Sequence, residues 1–460
     1  MAYAVAVMPF PWPNPSSTSQ EFSCTPIPEV QSGDVNARNQ CPPVSHVRML
    51  PMQPTASLRS GFAWTLAGNG VYALGQWALL SLFAKLGSRQ MLGEYALALA
   101  VASPVAMLSH LNLRAVLATE TAHRHSFGDY LSVRIAASAL GLLAIAALSF
   151  TGRSAATIAA ILAAGVALSA ENVSDLYYGA MQRRERMDCI AKSMMARAIV
   201  SAAAVAIALI AAGTLVPAMI ALAAARIAVL LLYDLPVGSR GERLARTGSP
   251  TQRAILRAAL PLGVVLMLVS LNTNLPRYAI ERRLGTPALG AFAAAASFMT
   301  AGNTIINALG QSATPRLARY FAEGGRARFL RLVWQLAALA VGIGLAGMAV
   351  ASIAAAPLLR ILYRPEFAQH ATLLVQVMAA AIPAYVAATL GYAITSARAF
   401  DAQLPLFCIV VASCGIAAWL LVPRFGLAGA PIALGIAACV QIFGAAVILR
   451  RALHRAEPLW

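Results

Sequence analysis

Long apolar runs of about twenty residues, separated by short polar stretches, fill the chain from residue 58 onward. At about 1.5 Å of rise per residue, a helix of that length crosses a hydrocarbon core of about 30 Å. The runs do not alternate in polarity as the strands of a membrane barrel do. Because only helices and closed barrels satisfy their backbone groups in lipid, the pattern predicts an all-α polytopic membrane protein.

We predict about twelve transmembrane helices in two six-helix lobes. Their predicted limits are 61–83, 92–112, 130–150, 155–177, 190–212, 214–235, 254–275, 288–309, 330–353, 371–394, 405–422 and 427–449. The longest loop between them is basic and falls halfway along the spans. The predicted parts are a Pro- and Ser-rich disordered cytoplasmic tail at 1–57, a first lobe at 58–235, a cytoplasmic linker at 236–253 and a second lobe at 254–455.

Composition supports the membrane assignment. Hydrophobic residues make up 59% of the chain and charged residues only 11%, whereas soluble domains carry about 25% charged residues. The net charge of +18 would suit nucleic acid in a soluble protein, but here the arginines lie between apolar runs. Alternate loops hold about 24 and about 9 basic residues, so the richer side is expected to be cytoplasmic, with both termini.

The two halves of the chain resemble each other. The segment Leu92-Gly93-Glu94-Tyr95-Ala96 follows the first span, and Leu289-Gly290-Ala291-Phe292-Ala293 follows the seventh. Since each half has an even number of spans, both halves face the same way, related by a pseudo-two-fold axis along the membrane normal. A substrate site is then expected between the lobes, near the midplane.

Arg226 is the charged residue nearest the centre of a predicted span. A charge in that position is costly and therefore indicates function. Arg226 is either a cation that binds an anionic substrate in a central cavity or the structural partner of a carboxylate. Glu171 and Asp175, on the fourth span, are the candidate ion or structural partners.

Three further arginines lie near the cytoplasmic ends of spans. Arg134 and Arg197 are cavity candidates, with snorkelling to the headgroups as the alternative. For Arg114 we favour a functional role, because His110 and Asn112 precede it and the three cannot share one face of a continuous helix.

Arg277 and Asn274 lie at the outer end of the seventh span, next to Pro276. Proline removes a backbone hydrogen bond, and we expect the helix to break there, as helices often do at transporter sites. In order of depth, the arginines would form a ladder across the membrane. Guanidinium groups suit phosphate oxygens, so a diphosphate headgroup is a fitting cargo.

Amide side chains complete the set of cavity candidates. Those on the first and eighth spans are Asn69, Gln76, Asn303, Asn307 and Gln311. The last three share one helix face, and they are either contacts between helices or a sugar-binding surface. Tyr177, Tyr178 and two tryptophans, Trp64 and Trp77, are expected in the interfacial aromatic belt. No pattern for catalysis, a metal or a cofactor stands out.

Several stretches resemble the bacterial polysaccharide-type transporters, in the lipopolysaccharide and O-antigen flippase branch of the superfamily that also holds multidrug and toxin extruders. They are Gly68 to Trp77, Leu111 to Val116, Tyr178 to Asp188, Tyr233 to Pro236, and Asn274 to Tyr278 with Leu289-Gly290. The resemblance covers residues 58–455.

The resemblance implies a two-lobed bundle that moves undecaprenyl-diphosphate-linked oligosaccharide across the bacterial inner membrane, with Arg114, Arg226 and Arg277 meeting the anionic cargo. The implied partners are that lipid-linked glycan, membrane lipid and other membrane proteins of polysaccharide assembly. An alternative is a cation-coupled multidrug extruder of the same fold. Those extruders usually hold a carboxylate inside the first lobe, often on the first span, where this chain has only Asn69 and Gln76. A polymerase or ligase would need a large outer loop, which the predicted spans leave no room for.

Overall fold

The computed structural model describes residues 58–119, 125–150, 153–242, 244–245 and 248–455, so the predicted tail at 1–57 lies outside the described residues. The first lobe consists of α1 (Leu58–Lys85), α2 (Arg89–His110), α3 (Leu113–Thr119), α4 (Phe127–Ser149), α5 (Ala155–Arg183), α6 (Met187–Ala212), α7 (Leu215–Val229), a π-helical turn (Leu230–Asp234) and α8 (Leu235–Gly238). The second lobe consists of α9 (Ser249–Leu284), α10 (Thr286–Ala322), α11 (Arg326–Leu362), a 3₁₀ turn (Pro365–His370), α12 (Ala371–Ser396), α13 (Gln403–Phe425) and α14 (Gly429–Arg455).

Ten helical stretches in the described part of the chain are long and apolar enough to cross a membrane. One of them, Phe400–His454, contains both α13 and α14, and α1 lies outside the ten. Counting α1 and separating that pair gives the twelve long helices that the sequence predicts. The all-α, two-lobed architecture is therefore confirmed.

Two features of α9 differ from the sequence prediction. It begins at Ser249, so the stretch between the lobes is shorter than 236–253. It also runs without interruption past Pro261 and Pro276, so the predicted break at Pro276 is wrong. Membrane helices tolerate proline because neighbouring helices and polar side chains satisfy the freed backbone groups. Pro276 frees the carbonyl of Asn272, and the Cys414 thiol of α13 donates to that oxygen at 3.4 Å.

The second span is divided where the sequence suggested one helix. Leu111 and Asn112 adopt positive φ angles of 51° and 49°, which end α2 at His110 and begin α3 at Leu113. Such angles are uncommon for residues other than glycine. The break changes the direction of the chain between His110 and Arg114. The rule that His110, Asn112 and Arg114 cannot share one face holds for a continuous helix, so it does not apply to this stretch.

The lobes press together at the end of the bundle that carries fewer arginines, which we call the arginine-poor end. A methyl group added to Gly93 of α2 would lie 1.8 Å from the Thr286 carbonyl oxygen, and one added to Gly290 of α10 would lie 2.1 Å from the Arg89 carbonyl oxygen. Only glycine permits that approach of two helix backbones. These glycines are the pair that the internal repeat in the sequence aligned.

Further along the bundle, α1 and α10 become more exposed. Leu79 and Phe83 of α1 are buried at the arginine-poor end, whereas Leu66 in the other half of α1 is 63% exposed. In α10, Leu289 is buried and Ile305 is 53% exposed. Both helices are thus covered near the arginine-poor end and uncovered toward the other end, which we call the arginine-rich end.

Candidate functional site

One face of α5 carries the polar groups around which the first lobe is built. Glu171, Asp175, Tyr178 and Gln182 follow one another at steps of three or four residues, which places them on one stripe of the helix. Glu171 and Tyr178 are buried. The stripe extends for eleven residues, or about 16 Å along the helix axis.

Glu171 lies at the end of this stripe that is nearer the arginine-poor end, and three side chains approach its carboxylate. Arg226 Nη1 donates to Glu171 Oε2 at 2.6 Å, and the Tyr72 hydroxyl of α1 donates to Glu171 Oε1. Arg197 Nη1 lies 4.0 Å from the same carboxylate. Arg226 is 3% exposed and Glu171 is 8% exposed. The structure therefore gives Arg226 the carboxylate partner that the sequence analysis named as the alternative to a free cation.

A second carboxylate neutralises Arg197. Its Nη2 donates to Asp234 Oδ2 at 3.0 Å, and the Ser193 hydroxyl donates to Asp234 Oδ1. The Tyr178 hydroxyl and the Ser193 hydroxyl are 2.7 Å apart. Asp234 ends the π-helical turn, a type of turn that is frequent at functional sites, and its side chain is fully buried in the lobe.

A third carboxylate, Asp175, lies nearer the arginine-rich end and contacts two basic side chains. Its Oδ2 lies 2.9 Å from His110 Nε2, and its Oδ1 accepts from Arg114 Nη1 at 3.2 Å. Arg114 Nε also donates to Gln182 Oε1 at 3.0 Å. The break between α2 and α3 makes this possible, because His110 and Arg114 reach Asp175 from different helices. The Arg114 side chain remains 32% exposed.

Snorkelling describes neither Arg134 nor Arg197, since they are 0% and 2% exposed. Arg134 Nη1 donates to the carbonyl oxygens of His110 at 2.5 Å and Ser109 at 3.3 Å, where α2 ends. A guanidinium at the carboxyl end of a helix satisfies free carbonyl groups and opposes the negative end of the helix dipole. Both arginines stabilise the interior of the first lobe.

The aromatic-belt prediction is wrong for the tyrosine pair, because Tyr177 and Tyr178 are 3% and 4% exposed. The Tyr178 ring lies between two guanidinium groups, with its centroid 5.7 Å from Arg114 and 5.4 Å from Arg197. Such cation–π contacts are stronger when desolvated. Tyr178 therefore joins the Asp175 group to the group around Glu171 and Asp234.

Arg277 differs from these arginines. Its Nη1 donates to the Asn274 amide oxygen at 3.0 Å and not to a carboxylate, while its Nε, like that of Arg197 and Arg226, is buried without a hydrogen-bond partner. Within the described ranges, no carboxylate lies within ion-pair distance of it. The next residue, Tyr278, donates to the Ala100 carbonyl of α2 at 2.5 Å, so Arg277 lies where the lobes meet.

The amide candidates lie on the half-open parts of α1 and α10. Asn69 is exposed and donates to the Thr65 carbonyl of its own helix at 2.8 Å, and Gln76 is partly buried. Asn307 Oδ1 accepts from the Tyr392 hydroxyl at 3.3 Å. Asn303 is partly buried and Gln311 is exposed. The structure therefore does not place these amide side chains among the charged groups of the first lobe.

Sequence reasoning missed Tyr72, Ser193 and Asp234 as members of the site. Tyr72 and Asp234 stand in two of the stretches that carry the family resemblance, and this was the available signal. The π-helical turn that ends at Asp234 is not visible in the periodicity of the sequence. Ser193 gives no signal in the sequence, since it is a small polar residue in an apolar helix.

The sequence places the chain in a family. It matches the polysaccharide biosynthesis protein family over residues 58–321, more than half of the chain, and the chain belongs to that family. The two-lobed, all-α architecture agrees with the membrane protein of polysaccharide biosynthesis that the sequence stretches indicated. The recognition made from the sequence stretches is thus confirmed.

One curated relative is the capsular polysaccharide biosynthesis protein CapF of Staphylococcus aureus, which is 22% identical over 389 residues, covering 83% of this chain and 96% of CapF. Among solved structures, an inward-facing multidrug resistance MATE family transporter gives a TM-score of 0.67 at 13% identity over 85% of this chain and 98% of its own. The lipid II flippase MurJ, in an inward closed conformation, gives 0.67 at 12% identity over 86% and 90%. These likenesses show the fold.

Proposed function

We propose that this protein is a flippase that moves a lipid-linked oligosaccharide, carried on undecaprenyl diphosphate, across the bacterial inner membrane. Arg277 is the observation that carries the proposal. It is a guanidinium at the meeting of the lobes, with an amide partner and a buried Nε that lacks one. A diphosphate would supply the anionic oxygens that this group needs.

The buried arginines of the first lobe are less suited to that task. Arg226 and Arg197 are already neutralised by Glu171 and Asp234. Taking either arginine from its carboxylate would leave a buried charge unpaired, which costs about 3–5 kcal/mol. Arg114 is intermediate, since it is paired with Asp175 but partly exposed. We therefore assign the first contact with the diphosphate to Arg277 and an accessory role to Arg114.

The uncovered halves of α1 and α10 support a path for such a cargo. They lie toward the arginine-rich end, which the positive-inside rule assigns to the cytoplasm, with both termini on that side. Asn69 and Gln76 on α1, with Asn303, Asn307 and Gln311 on α10, would offer amides to sugar hydroxyls. The lipid tail would stay in the bilayer beside the opening while the headgroup enters. Rocking of the two lobes would then expose the headgroup to the other leaflet.

The test is transport by purified protein in liposomes that contain a fluorescent undecaprenyl-diphosphate oligosaccharide. Translocation is read as the fraction of glycan that a non-permeant lectin reaches. We expect Arg277→Gln to lower the rate about 10- to 100-fold, the effect of losing hydrogen bonds to a charged group worth about 1.5–3 kcal/mol. Arg277→Lys should keep part of the activity, because an ammonium retains the charge without the fork geometry.

Arg282→Gln is the matched control. Arg282 lies on the same helix and is exposed, so its loss should leave transport unchanged. Normal transport by Arg277→Gln at equal protein level would refute the assignment of Arg277. If liposomes with the wild-type protein transport cationic drugs but do not translocate the glycan lipid, the protein is instead a multidrug extruder.

A further inference from the structure

The lobes are joined at the arginine-poor end by hydrogen bonds between side chains. Trp77 Nε1 of α1 donates to the Tyr363 hydroxyl of the second lobe at 3.1 Å. The same hydroxyl lies 2.7 Å from the Ser297 hydroxyl of α10. The second junction pairs Arg89, the first residue of α2, with His370, at the end of the 3₁₀ turn. Arg89 Nη1 lies 3.2 Å from His370 Nε2. We call these five residues the lobe seal.

The Arg89–His370 junction sits beside the closest contact of the lobes. Gly290 of α10 approaches the carbonyl oxygen of Arg89. The backbone of Arg89 is therefore held against α10, while the Arg89 side chain reaches the 3₁₀ turn. A separate contact runs from Arg364 Nη2 to the Lys85 carbonyl at 2.9 Å. Any opening of this end must break the Arg89–His370 contact.

That contact requires a neutral imidazole. A guanidinium group has donors and no acceptor, so His370 Nε2 can bond to Arg89 only while it carries no proton. Protonation removes the acceptor and places a second positive charge next to the first. Histidine changes its charge between about pH 5 and about pH 8, so this junction can respond to ordinary changes of pH.

The surroundings of His370 offer its charged form no carboxylate partner. On its own turn, Glu366 is exposed, and the described residues contain no ion pair to His370. Arg364 before the turn, Arg360 at the end of α11 and Lys85 at the end of α1 are basic. The carboxylate of α2, Glu94, lies more than one helical turn beyond Arg89, and its Oε1 accepts from Gln90 Nε2 at 3.0 Å. The first turns of α10 and α12, which also pack against the 3₁₀ turn, carry no charged residue. Repulsion from Arg89 therefore goes uncompensated.

We propose that Arg89 and His370 form a proton-sensitive latch that holds the arginine-poor end closed and releases it when that side becomes acidic. The inference rests on the proposed function, because alternating access requires this end to open. In the proposed orientation this end faces the periplasm, so acid outside the cell would favour the outward-open state. Protonation would thus bias the direction in which the lobes rock.

The test is a distance measurement in lipid nanodiscs, without cargo. Spin labels are placed at Thr214→Cys in the first lobe and Arg424→Cys in the second, in a background without the native cysteines. Both positions are exposed at the arginine-poor end. Between pH of about 8 and about 5, we expect the ratio of long to short distances in the otherwise wild-type protein to rise at least about tenfold, equivalent to about 1.4 kcal/mol.

Two variants serve as matched controls. His370→Gln keeps a neutral acceptor for Arg89, so its distances should stay short at both pH values. Arg89→Gln removes the guanidinium that would repel protonated His370, so the distances in this variant should not depend on pH. It replaces His370→Gln as the control if that variant does not fold. A wild-type distribution that is the same at both pH values, or a shift that persists in His370→Gln, would overturn the latch. Since no cargo is present, failure of the glycan transport assay would leave this result unchanged.

Discussion

The two lobes share one architecture but differ in what they bury. The interior of the first lobe contains Arg134, Glu171, Arg197, Arg226 and Asp234. In the described part of the second lobe, the buried polar side chains are all neutral, for example Asn274, Ser297 and Gln403. A duplicated bundle therefore needs no internal ion pairs in order to pack. The charges of the first lobe are an addition to the fold, and they lock α1, α5, α6 and α7 to one another.

Removing a carboxylate from the first lobe should have the largest effect. Glu171→Gln would leave the buried Arg226 without its ion-pair partner, so we expect a loss of about 3–5 kcal/mol in the free energy of unfolding. Denaturant titration in mixed micelles measures this. The double variant Glu171→Gln with Arg226→Gln should lose less than the sum of the two single changes, since the residues are in contact. Strict additivity would mean that the pair is not coupled.

This expectation also changes what Arg226→Gln is predicted to do. From the sequence, that change should abolish transport at unaltered protein level. With Glu171 2.6 Å from the guanidinium, the variant is instead expected to lower protein level as well. Quantifying the folded protein before transport is measured separates the two outcomes.

A smaller effect is expected from Tyr72→Phe, which removes the hydroxyl that donates to Glu171. Hydrogen bonds to charged groups are worth about 1.5–3 kcal/mol, and we expect a loss of stability in that range. The same titration measures it. A loss below about 0.5 kcal/mol would show that Arg226 and Arg197 satisfy the carboxylate without Tyr72.

The matched change in the second lobe is Tyr385→Phe. The Tyr385 hydroxyl donates to the Met299 carbonyl at 2.8 Å, and the residue is 1% exposed. Because this acceptor is neutral, the loss should be only about 0.5–1.5 kcal/mol. If Tyr385→Phe costs more than Tyr72→Phe, the contrast between the lobes does not rest on charge.

The smallest effect is expected for Glu323→Gln, at the surface of the second lobe. Its ion pair with Arg328 at 3.3 Å involves side chains that are 44% and 59% exposed. Exposed pairs contribute about 0–1 kcal/mol, so the midpoint of unfolding should barely change. A loss as large as that of Glu171→Gln would contradict the premise that burial decides the cost.

Much of the fold was predictable because a helix that crosses the bilayer needs an apolar run of about twenty residues whatever its neighbours are. The repeat was also readable, and Gly93 and Gly290 prove to be partners across the lobes. The break at Leu111 and Asn112 was not predictable, since neither residue is glycine or proline. The continuity of α9 past Pro276 depends on contacts with neighbours that a single helix does not reveal.

The amino-acid sequence by itself determined that this is a helical membrane protein of the polysaccharide biosynthesis family, and it singled out the arginines that are candidates for the interior of the bundle. Apolar runs and charged interruptions are local properties, and lipid acts on each of them directly. Only the tertiary structure decided which arginines are neutralised. Arg226 pairs with Glu171 and Arg197 with Asp234, while Arg277 has only an amide partner among the residues that the structure describes. Pairing depends on side chains from different helices meeting at distances of about 3 Å, and the packing of the helices sets those distances.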